Sequence, residues 1–403
     1  MSWRQIHLGE GIHIKHGFSF KGRYFADSGK YTVLTPGNFK EEGGFRLRPD
    51  KQKFYAGDIP EEFILNEGDL IVAMTEQGPG LLGSSALIPR NDAFLHNQRL
   101  GLVDRIDPSV FDKRFLYYLF NTRSIRQQIS GSASGTKVRH TAPERIYRVK
   151  AGVPDPKTQS DIAARLWNYD SLIENNRRRI QLLEQSARML YKEWFVRLRF
   201  PGHEHVRIRN GVPEGWEKRK LKSLAAVNKQ SLPSSFEGEI RYIDIASVTP
   251  GSINQVTHYD IKDAPSRARR ILEHGDIIWS CVRPNRRSHV IIWKPDGNLI
   301  ASTGFAVISP TNVPTTFLYQ SITTDAFAGH LENRGRGAAY PAVVAQDFED
   351  AEVMVPYSNL MTMFDDAVQP TLDQVYNLRA QNERLRHARD FLLPKLISGE
   401  IQV

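Results

Sequence analysis

The sequence contains almost no cysteine: Cys281 is the only one among 403 residues. A single cysteine excludes an internal disulfide framework and a zinc site built from cysteine thiolates. Ile278 and Trp279, which precede it, are typical of a buried strand, so we expect a buried thiol rather than a reactive one.

The sequence also lacks an apolar run of the roughly 18 residues that a membrane-spanning helix requires. Residues 1–10 do not have the charged and apolar regions of a signal peptide. We therefore expect a cytoplasmic protein that makes no contact with a membrane.

Motifs that would assign a reaction are missing as well. The sequence has no Walker-type GxxxxGK[ST] motif and no Asn/Asp-Pro-Pro-aromatic motif of the kind that amino-methyltransferases use. Residues 78–83 satisfy GxGxxG, but the segment after them looks extended and closes at Pro89, so it offers no helix for a dinucleotide. His203 and His205 could be metal ligands, but they lie in a polar linker without further ligands. We therefore predict no catalytic residue, no metal, no cofactor and no small-molecule substrate.

Positive charge is present in moderate excess. The chain has 54 Lys and Arg against 45 Asp and Glu, which gives a formal net charge of +9. This balance favours a polyanionic partner such as nucleic acid. A merely basic soluble protein remains the alternative, because the excess is moderate.

Most of the sequence is duplicated. Phe-Leu-Tyr begins one block at Phe115 and another at Phe317, 202 residues later, and each block reaches a Val-Pro pair at the same position. Trp3 and Trp216 mark corresponding points near the start of each copy. The order of such landmarks is the same in both copies, which predicts a pseudo-symmetric molecule with two similar globular parts.

A long helix with a heptad pattern follows each copy. Between residues 158 and 196, apolar side chains alternate spacings of four and three, which is typical of a coiled coil. The same rhythm begins again at Phe364 and stops at Pro394. Asn176 and Asn382 lie in the two seams and are predicted to mark the register of an antiparallel helix pair.

The sequence between the helices is typical of mixed α and β structure. Residues 69–74 and 276–282 are short, apolar and β-branched, as strands are. Residues 111–129 and 315–331 have helical spacing, and each segment ends before a glycine-rich loop. The predicted fold class is α+β, with two globular domains joined by a pair of long helices that form an antiparallel coiled coil.

The two glycine-rich loops, residues 131–140 and 333–340, differ in side chain but not in position. Gly135 aligns with Gly337, whereas Lys137 aligns with Ala339. Shared glycines indicate a shared backbone path, and divergent polar residues fit the readout of two different sequences better than catalysis. Candidate DNA contacts are polar loop residues that can reach phosphates or base edges, with solubilising surface charge as the alternative for each: Ser132, Ser134, Thr136, Lys137, Arg139, His140, Arg283, Asn285, Arg286, Arg287, Arg334, Arg336 and Tyr340.

A weaker candidate patch lies nearer the start of the chain. It comprises Gly17, Phe18, Phe20, Lys21 and Tyr24. Packing of the aromatic rings is at least as good an explanation of this patch as contact with bases.

With these features the sequence resembles the DNA specificity (S) subunits of type I restriction–modification systems. The central helix carries Ile173-Glu174-Asn175-Asn176-Arg177-Arg178 and closes with Glu193-Trp194-Phe195-Val196, and the last helix carries Phe391-Leu392-Leu393-Pro394-Lys395-Leu396. Pro213-Glu214-Gly215-Trp216-Glu217 resembles the usual entry to a second recognition domain. The resemblance covers essentially the whole chain, but the recognition domains are the variable part of this family, so no target sequence can be carried over.

The resemblance implies a non-catalytic subunit that reads a bipartite asymmetric target in double-stranded DNA, one half with each recognition domain. It also implies two methyltransferase subunits, docked around the helix pair, and restriction subunits as partners. Trp194 and Phe195 are the candidate partner contacts. We predict target-recognition domains at residues 1–156 and 199–358, and coiled-coil helices at 157–198 and 359–403. A coiled-coil adaptor that binds proteins is the alternative, and an autonomous DNA-modifying enzyme has no motif to support it.

Overall fold

The computed structural model describes residues 3–48, 51–78, 80–337 and 340–402. The chain divides into two compact units, which we call unit 1 (Met1–Glu174 with Glu383–Val403) and unit 2 (Asn175–Asn382). The division falls inside two long helices, so each unit consists of a globular part and a segment of each long helix.

The α-helices of the described residues are numbered in chain order: α1 (Lys113–Phe120), α2 (Arg123–Gly131), α3 (Pro143–Tyr147), α4 (Pro156–Tyr191), α5 (Thr315–Ser321), α6 (Asp325–Arg334), α7 (Ala345–Glu349) and α8 (Ser358–Ser398). A π-helical turn, Lys192–Val196, continues α4.

The segments predicted as single helices at 111–129 and 315–331 are each two helices. Thr122 separates α1 from α2, and its hydroxyl donates to the carbonyl oxygen of Leu119 at 2.7 Å. Thr324 separates α5 from α6, and its hydroxyl oxygen accepts a hydrogen bond from the backbone N–H of Phe327 at 3.2 Å. Thr122 occupies the N-cap position of α2 without a side-chain hydrogen bond to that helix, whereas Thr324 caps α6 through its hydroxyl oxygen. Helical periodicity alone reveals neither break.

Unit 1 contains two main sheets. The first is antiparallel, with the spatial order Ile12–His16, Leu100–Ile106, Leu70–Ala73 and Ser85–Leu87. The second has the order Phe25–Ala26, Phe54–Tyr55, Thr32–Val33, Phe94–Leu95 and Ile64–Leu65. Two further pairs are Arg4–His7 with Lys150–Val153, and Thr75–Glu76 with Arg139–His140.

Unit 2 is built in the same way. Its first sheet has the order Ala225–Val227, Phe305–Pro310, Ile277–Ser280 and His289–Ile291, and its second has Thr257–Asp260, Glu239–Ile243, Leu299–Ser302 and Ala268–Ile271. The smaller pairs are Ile208–Arg209 with Val212–Pro213, Glu217–Lys220 with Glu352–Val355, and Val248–Thr249 with Ser252–Ile253.

The duplication of the sequence is present in the strand pairing. The second sheet of unit 1 contains one parallel pair, Thr32–Val33 with Phe94–Leu95. The second sheet of unit 2 contains the corresponding parallel pair, Glu239–Ile243 with Leu299–Ser302. A parallel pair within an otherwise antiparallel sheet is a specific feature, so its recurrence supports a common fold for the two globular parts.

In unit 1 the first half of α4 packs against the last turns of α8. Ile162 lies in the apolar core together with Leu396 and Ile397. Asp170, later in α4, forms an ion pair with Arg389, earlier in α8. The two segments therefore run antiparallel.

The apolar rhythm of the second long helix stops at Pro394, but α8 itself continues through this proline to Ser398. A proline inside a helix removes one backbone hydrogen bond. Burial of Leu396 and Ile397 in the core of unit 1 holds the final turn in place despite that loss.

In unit 2 the second half of α4 packs against the first half of α8. Asn176 contacts Asn382, whereas the ring of Tyr191 lies 6.0 Å from the ring of Phe364. Contacts that advance along α4 thus move back along α8, and these segments are antiparallel too. The predicted α+β fold with a pair of long antiparallel helices is confirmed.

None of the helices in the described part of the chain is long and apolar enough to cross a membrane.

Candidate nucleic-acid interface

The two glycine-rich loops follow the same backbone path in their respective units. We call residues 132–140 recognition loop 1, and residues 334–337 with 340–342 recognition loop 2. Ser134 pairs with His140 across recognition loop 1, and Arg336 pairs with Ala342 across recognition loop 2. Both residues of the second pair lie 202 positions after those of the first.

The aligned glycines have the same conformation. Gly135 and Gly337 are left-handed, with φ angles of +96° and +102°. A Cβ atom on Gly135 would lie 2.1 Å from the carbonyl oxygen of Val138, so this turn requires glycine. The sequence-based expectation of a shared backbone path agrees with this geometry.

Two serines of recognition loop 1 are engaged within unit 1. The Ser132 hydroxyl donates to the carbonyl oxygen of Ile129 at 2.9 Å and so satisfies the end of α2. The Ser134 hydroxyl oxygen accepts a hydrogen bond from the Arg145 guanidinium at 3.1 Å. These hydroxyls hold the loop, which leaves them less available to phosphates.

Arg139 lies against a buried carboxylate. Its guanidinium is 3.3 Å from a carboxylate oxygen of Glu76, a residue that is 4% exposed, and it also donates to the carbonyl oxygen of Ser130. The other carboxylate oxygen of Glu76 accepts from the backbone N–H groups of Leu81 and Leu82, at 3.0 and 2.9 Å. A buried carboxylate with three donors keeps its cationic partner in place.

The remaining candidates of recognition loop 1 are Thr136, Lys137 and His140, and all three are exposed. Among the residues that the structure describes, Lys137 has no ion-pair partner. Lys137 is therefore the side chain of this loop best suited to a phosphate.

In unit 2 a second turn lies beside recognition loop 2. The backbone N–H of Arg283 donates to the carbonyl oxygen of Pro341 at 2.7 Å. The Arg283 guanidinium lies 4.3 Å from the centre of the Tyr340 ring, a cation–π contact. Arg287, at the other end of the turn, forms an ion pair with Asp325.

Recognition loop 2 is held by a carboxylate of α7. Asp347, 3% exposed, accepts from the backbone N–H of Val344 at 2.8 Å and from the guanidinium of Arg336 at 3.4 Å. Arg334 lies 3.9 Å from the same carboxylate oxygen. The side chain of Arg336 is nevertheless 71% exposed, so one face of it is open to a ligand.

The exposed candidates of unit 2 are Asn285 and Arg286 on the turn and Arg334, Arg336 and Tyr340 on recognition loop 2. Tyr340 is 67% exposed, which is more than is typical of tyrosine, so most of its ring is open to solvent. The structure thus brings the two predicted segments of unit 2 together into one polar surface.

Sequence reasoning missed three residues that shape these loops: Glu76, Arg145 and Asp347. Arg145 and Asp347 are 202 positions apart, so the duplication offset was the available signal. Their charges are opposite, and a search for identical side chains in the two copies passes over them.

Two features considered as enzymatic have other roles in the structure. The backbone N–H groups at 81 and 82, within the GxGxxG segment, bind Glu76; Pro79 of that segment lies outside the described residues. The Nδ1–H group of His203 donates a hydrogen bond to the carbonyl oxygen of Phe200 at 2.8 Å in an exposed turn. Burial raises the pKa of the Cys281 thiol to about 11, which keeps it protonated at neutral pH.

The weaker patch near the start of the chain is largely a packing cluster. The Phe18 ring lies 5.1 Å from Phe20 and 5.3 Å from Phe63, and Phe20 lies 4.8 Å from Tyr55. Edge-to-face contacts of this kind stabilise a small core, so packing explains these rings better than base contact does.

The two seam asparagines meet in unit 2. The side-chain amide of Asn176 donates to Asn382 at 3.1 Å and to Gln381 at 3.0 Å, and both asparagines are buried. Their hydrogen bond satisfies a polar pair inside an apolar seam, which is the geometry that a register marker requires.

The candidate partner contacts differ in exposure. Phe195 is buried, with its ring 5.1 Å from the rings of Tyr191, Phe317 and Phe364, so it belongs to the core of unit 2 rather than to its surface. Trp194 is half-buried beside it, and Val196 is 60% exposed. A groove of about 1030 Å³ adjoins this helix end; Arg188, Lys192, Val196, Trp216 and Phe327 contribute to its lining.

Comparison with known proteins gives a consistent family. Residues 2–185 match the family described as type I restriction modification DNA specificity domain. The chain is 24% identical over 307 residues to the MjaIX specificity subunit of Methanocaldococcus jannaschii, which covers 72% of this chain and 69% of that relative. It is 21% identical over 355 residues to the HindI specificity subunit of Haemophilus influenzae, which covers 71% and 76% respectively.

The fold agrees with this relationship. A crystal structure of the S subunit of a type I restriction–modification system from M. genitalium has a TM-score of 0.57 and 18% identity, and the match covers 98% of this chain and 96% of that one. The fold and the matching domain define a class, the two-part α+β proteins with a long helix pair. Within that class the chain is similar to the DNA specificity subunits of type I restriction–modification systems, over residues 2–185 for the family model and over 72% of the chain for the MjaIX subunit.

Proposed function

We propose that this chain is the sequence-specific DNA-recognition subunit of a type I restriction–modification enzyme. It reads a bipartite asymmetric target in double-stranded DNA, one half with the globular part of each unit, and it serves as the scaffold for the methyltransferase and restriction subunits. We propose that residues 1–156 and 199–358 are the two target-recognition domains. Residues 157–198 and 359–403 are the two coiled-coil helices of the scaffold.

One observation carries this proposal: the two units present the same loop backbone with different exposed side chains. Recognition loop 1 offers Thr136, Lys137 and His140, whereas recognition loop 2 offers Arg334, Arg336 and Tyr340, with Asn285 and Arg286 on the turn beside it. A fixed backbone with variable polar side chains is what two readers of different base sequences require. A surface for one protein partner would not need two divergent copies.

The same proposal makes the chain non-catalytic. The amides of its glycine-rich GxGxxG segment are bound by Glu76, and its thiol has a pKa of about 11, so neither is free for chemistry at neutral pH. Methyl transfer and cleavage then belong to the partner subunits, of which we expect two methyltransferase subunits and the restriction subunits. We place partner contacts at Trp194 and at Val196 beside the groove of unit 2.

The test is co-expression of the chain with the methyltransferase subunit of the same host in cells that lack other DNA methylation. Sequencing of modified bases should give one bipartite motif, and either subunit alone should give none. Methylation without a bipartite motif contradicts the proposal, and methyl transfer by the isolated chain contradicts its non-catalytic role. Co-purification of the two subunits without any sequence preference on DNA would favour the coiled-coil adaptor instead.

A matched pair of variants tests the partner surface. Val196→Asp places a charge on an exposed apolar position next to the groove and should reduce co-purification with the methyltransferase subunit. Ile208→Asp, at another exposed apolar position of unit 2, is the control and should leave co-purification unchanged.

A further inference from the structure

Each recognition loop is linked to the short helix that follows it in sequence. In unit 1, the Arg145 guanidinium on α3 donates to the carbonyl oxygen of Ser132 at 2.8 Å and to the Ser134 hydroxyl at 3.1 Å. In unit 2, the Asp347 carboxylate on α7 accepts from Arg336 at 3.4 Å.

The two links occupy the same positions in the duplication. Residues 134 and 336 are 202 positions apart, and so are residues 145 and 347. The cation lies on the helix in unit 1 and on the loop in unit 2. The side chains have therefore changed while the connection between helix and loop has been kept.

These loops need such a connection because their own backbone restricts their conformation only weakly. Each contains a left-handed glycine, which has more conformational freedom than other residues. One terminal nitrogen of the Arg145 guanidinium donates to both acceptors and so joins α3 to the loop at two points. The buried carboxylate of Asp347 lies beside two guanidinium groups, Arg336 at 3.4 Å and Arg334 at 3.9 Å, and if Arg336 turned away the buried charge would lose its nearer cation, which is unfavourable.

We propose that Arg145 and Asp347 are the positioning residues of the two recognition loops. Each holds its loop in the shape that presents neighbouring side chains to base edges, and neither contacts DNA itself. This inference rests on the proposed function, and it adds that residues behind each loop, which do not contact DNA, contribute to the specificity of each unit.

The test uses the full chain in complex with its methyltransferase subunit, with the methylated motif and the melting temperature as readouts. Arg145→Gln should reduce discrimination between the first half-site and its single-base variants by about tenfold, the scale of one lost base contact. The second half-site and the melting temperature should not change. Arg148→Gln, which removes an exposed cation from the end of the same short helix, is the control and should leave both half-sites unchanged.

A transplant of the unit 2 link into unit 1 provides a rescue that a merely structural role would not give. Arg145→Asp alone should relax the first half-site, and Arg145→Asp combined with Ser134→Arg should restore discrimination. In unit 2, Asp347→Asn should relax only the second half-site.

Other outcomes overturn the inference. Unchanged discrimination in Arg145→Gln does so, and so does a uniform loss of methylation at all sequences, which would indicate a phosphate contact. Failure of the double variant to restore discrimination also counts against it. Absence of any bipartite motif in the unaltered complex would instead contradict the proposed function, so the two failures can be told apart.

Discussion

Arg379 on α8 and Glu184 on α4 form an ion pair at 2.7 Å, and the same guanidinium nitrogen donates to the carbonyl oxygen of Gly251 at 2.7 Å. One arginine thus joins both long helices to a turn of the globular part of unit 2. In unit 1, Arg389 and Asp170 join the helices in a corresponding way, and Asp170 also accepts from the Tyr118 hydroxyl of α1 at 2.6 Å. Each globular part is fastened to its helix segments by a half-buried polar cluster.

We expect Arg379→Ala to lower the free energy of unfolding by about 2 kcal/mol, because it removes the hydrogen-bonded cation from the half-buried Glu184 carboxylate. Burial already raises the pKa of Glu184, and Arg379 is the main opposing influence. Urea denaturation measures the effect. The double variant with Glu184→Gln should recover part of the loss, and a double variant less stable than Arg379→Ala would contradict this account.

The seam pair gives a second prediction for unit 2. Asn176→Leu removes the donor and leaves the buried Asn382 amide unsatisfied, so unfolding should become easier by about 1–3 kcal/mol. Replacing both asparagines by leucine should restore or exceed the original stability, since it completes an apolar seam. Thermal denaturation of Asn176→Leu, Asn382→Leu and the double variant measures these effects, and additive losses in the double variant would show that the two amides do not act as a pair.

Acid should destabilise unit 2 through His289. Burial, together with the nearby charges of Arg188 and Arg287, lowers the pKa of His289 to about 4, and Tyr319 lies close to its ring. An unfolded histidine titrates near pH 6.5, so the unfolded chain binds the extra proton between about pH 6.5 and 4. The stability that the neutral ring contributes is fully present above that range and is lost as the pH falls through it.

The expected loss from His289 is about 3 kcal/mol between pH 7 and pH 4, measured by urea denaturation at each pH. His289→Asn should remove this part of the pH dependence. An unchanged dependence on pH in the variant would show that His289 is not the group responsible.

Readout by the two units should be separable. Asn285→Ala removes an exposed side chain that can bond a base edge, and should cost about 1–3 kcal/mol of discrimination at one position of one half-site. Lys137→Gln in unit 1 should instead weaken binding to all sequences and flatten the salt dependence. The methylated motif and the DNA affinity at several salt concentrations measure these effects. If Asn285→Ala changed the recognition of both half-sites, the claim that the two units read them separately would be wrong.

The repeats, the helix pair and the glycine turns could be predicted because each leaves a local pattern in sequence. Heptads, landmark residues at a constant offset and a glycine in a tight turn are readable without knowing the fold. The link from Glu76 to Arg139 spans 63 positions and depends on two strands becoming neighbours, so no local pattern announces it. Phe195 was misplaced for a similar reason: its aromatic neighbours come from α5 and α8, far along the chain.

Arg283 and Arg287 both have a left-handed backbone conformation, with a φ of +52°. At these two positions the requirements of thermal stability and of DNA recognition conflict. A residue with a Cβ is strained there by about 1–2 kcal/mol, and glycine would relieve it. A screen for heat-resistant variants would therefore favour glycine at both sites. It would also remove two cations from the polar turn of unit 2, so robustness gained in this turn would come with poorer selectivity for DNA.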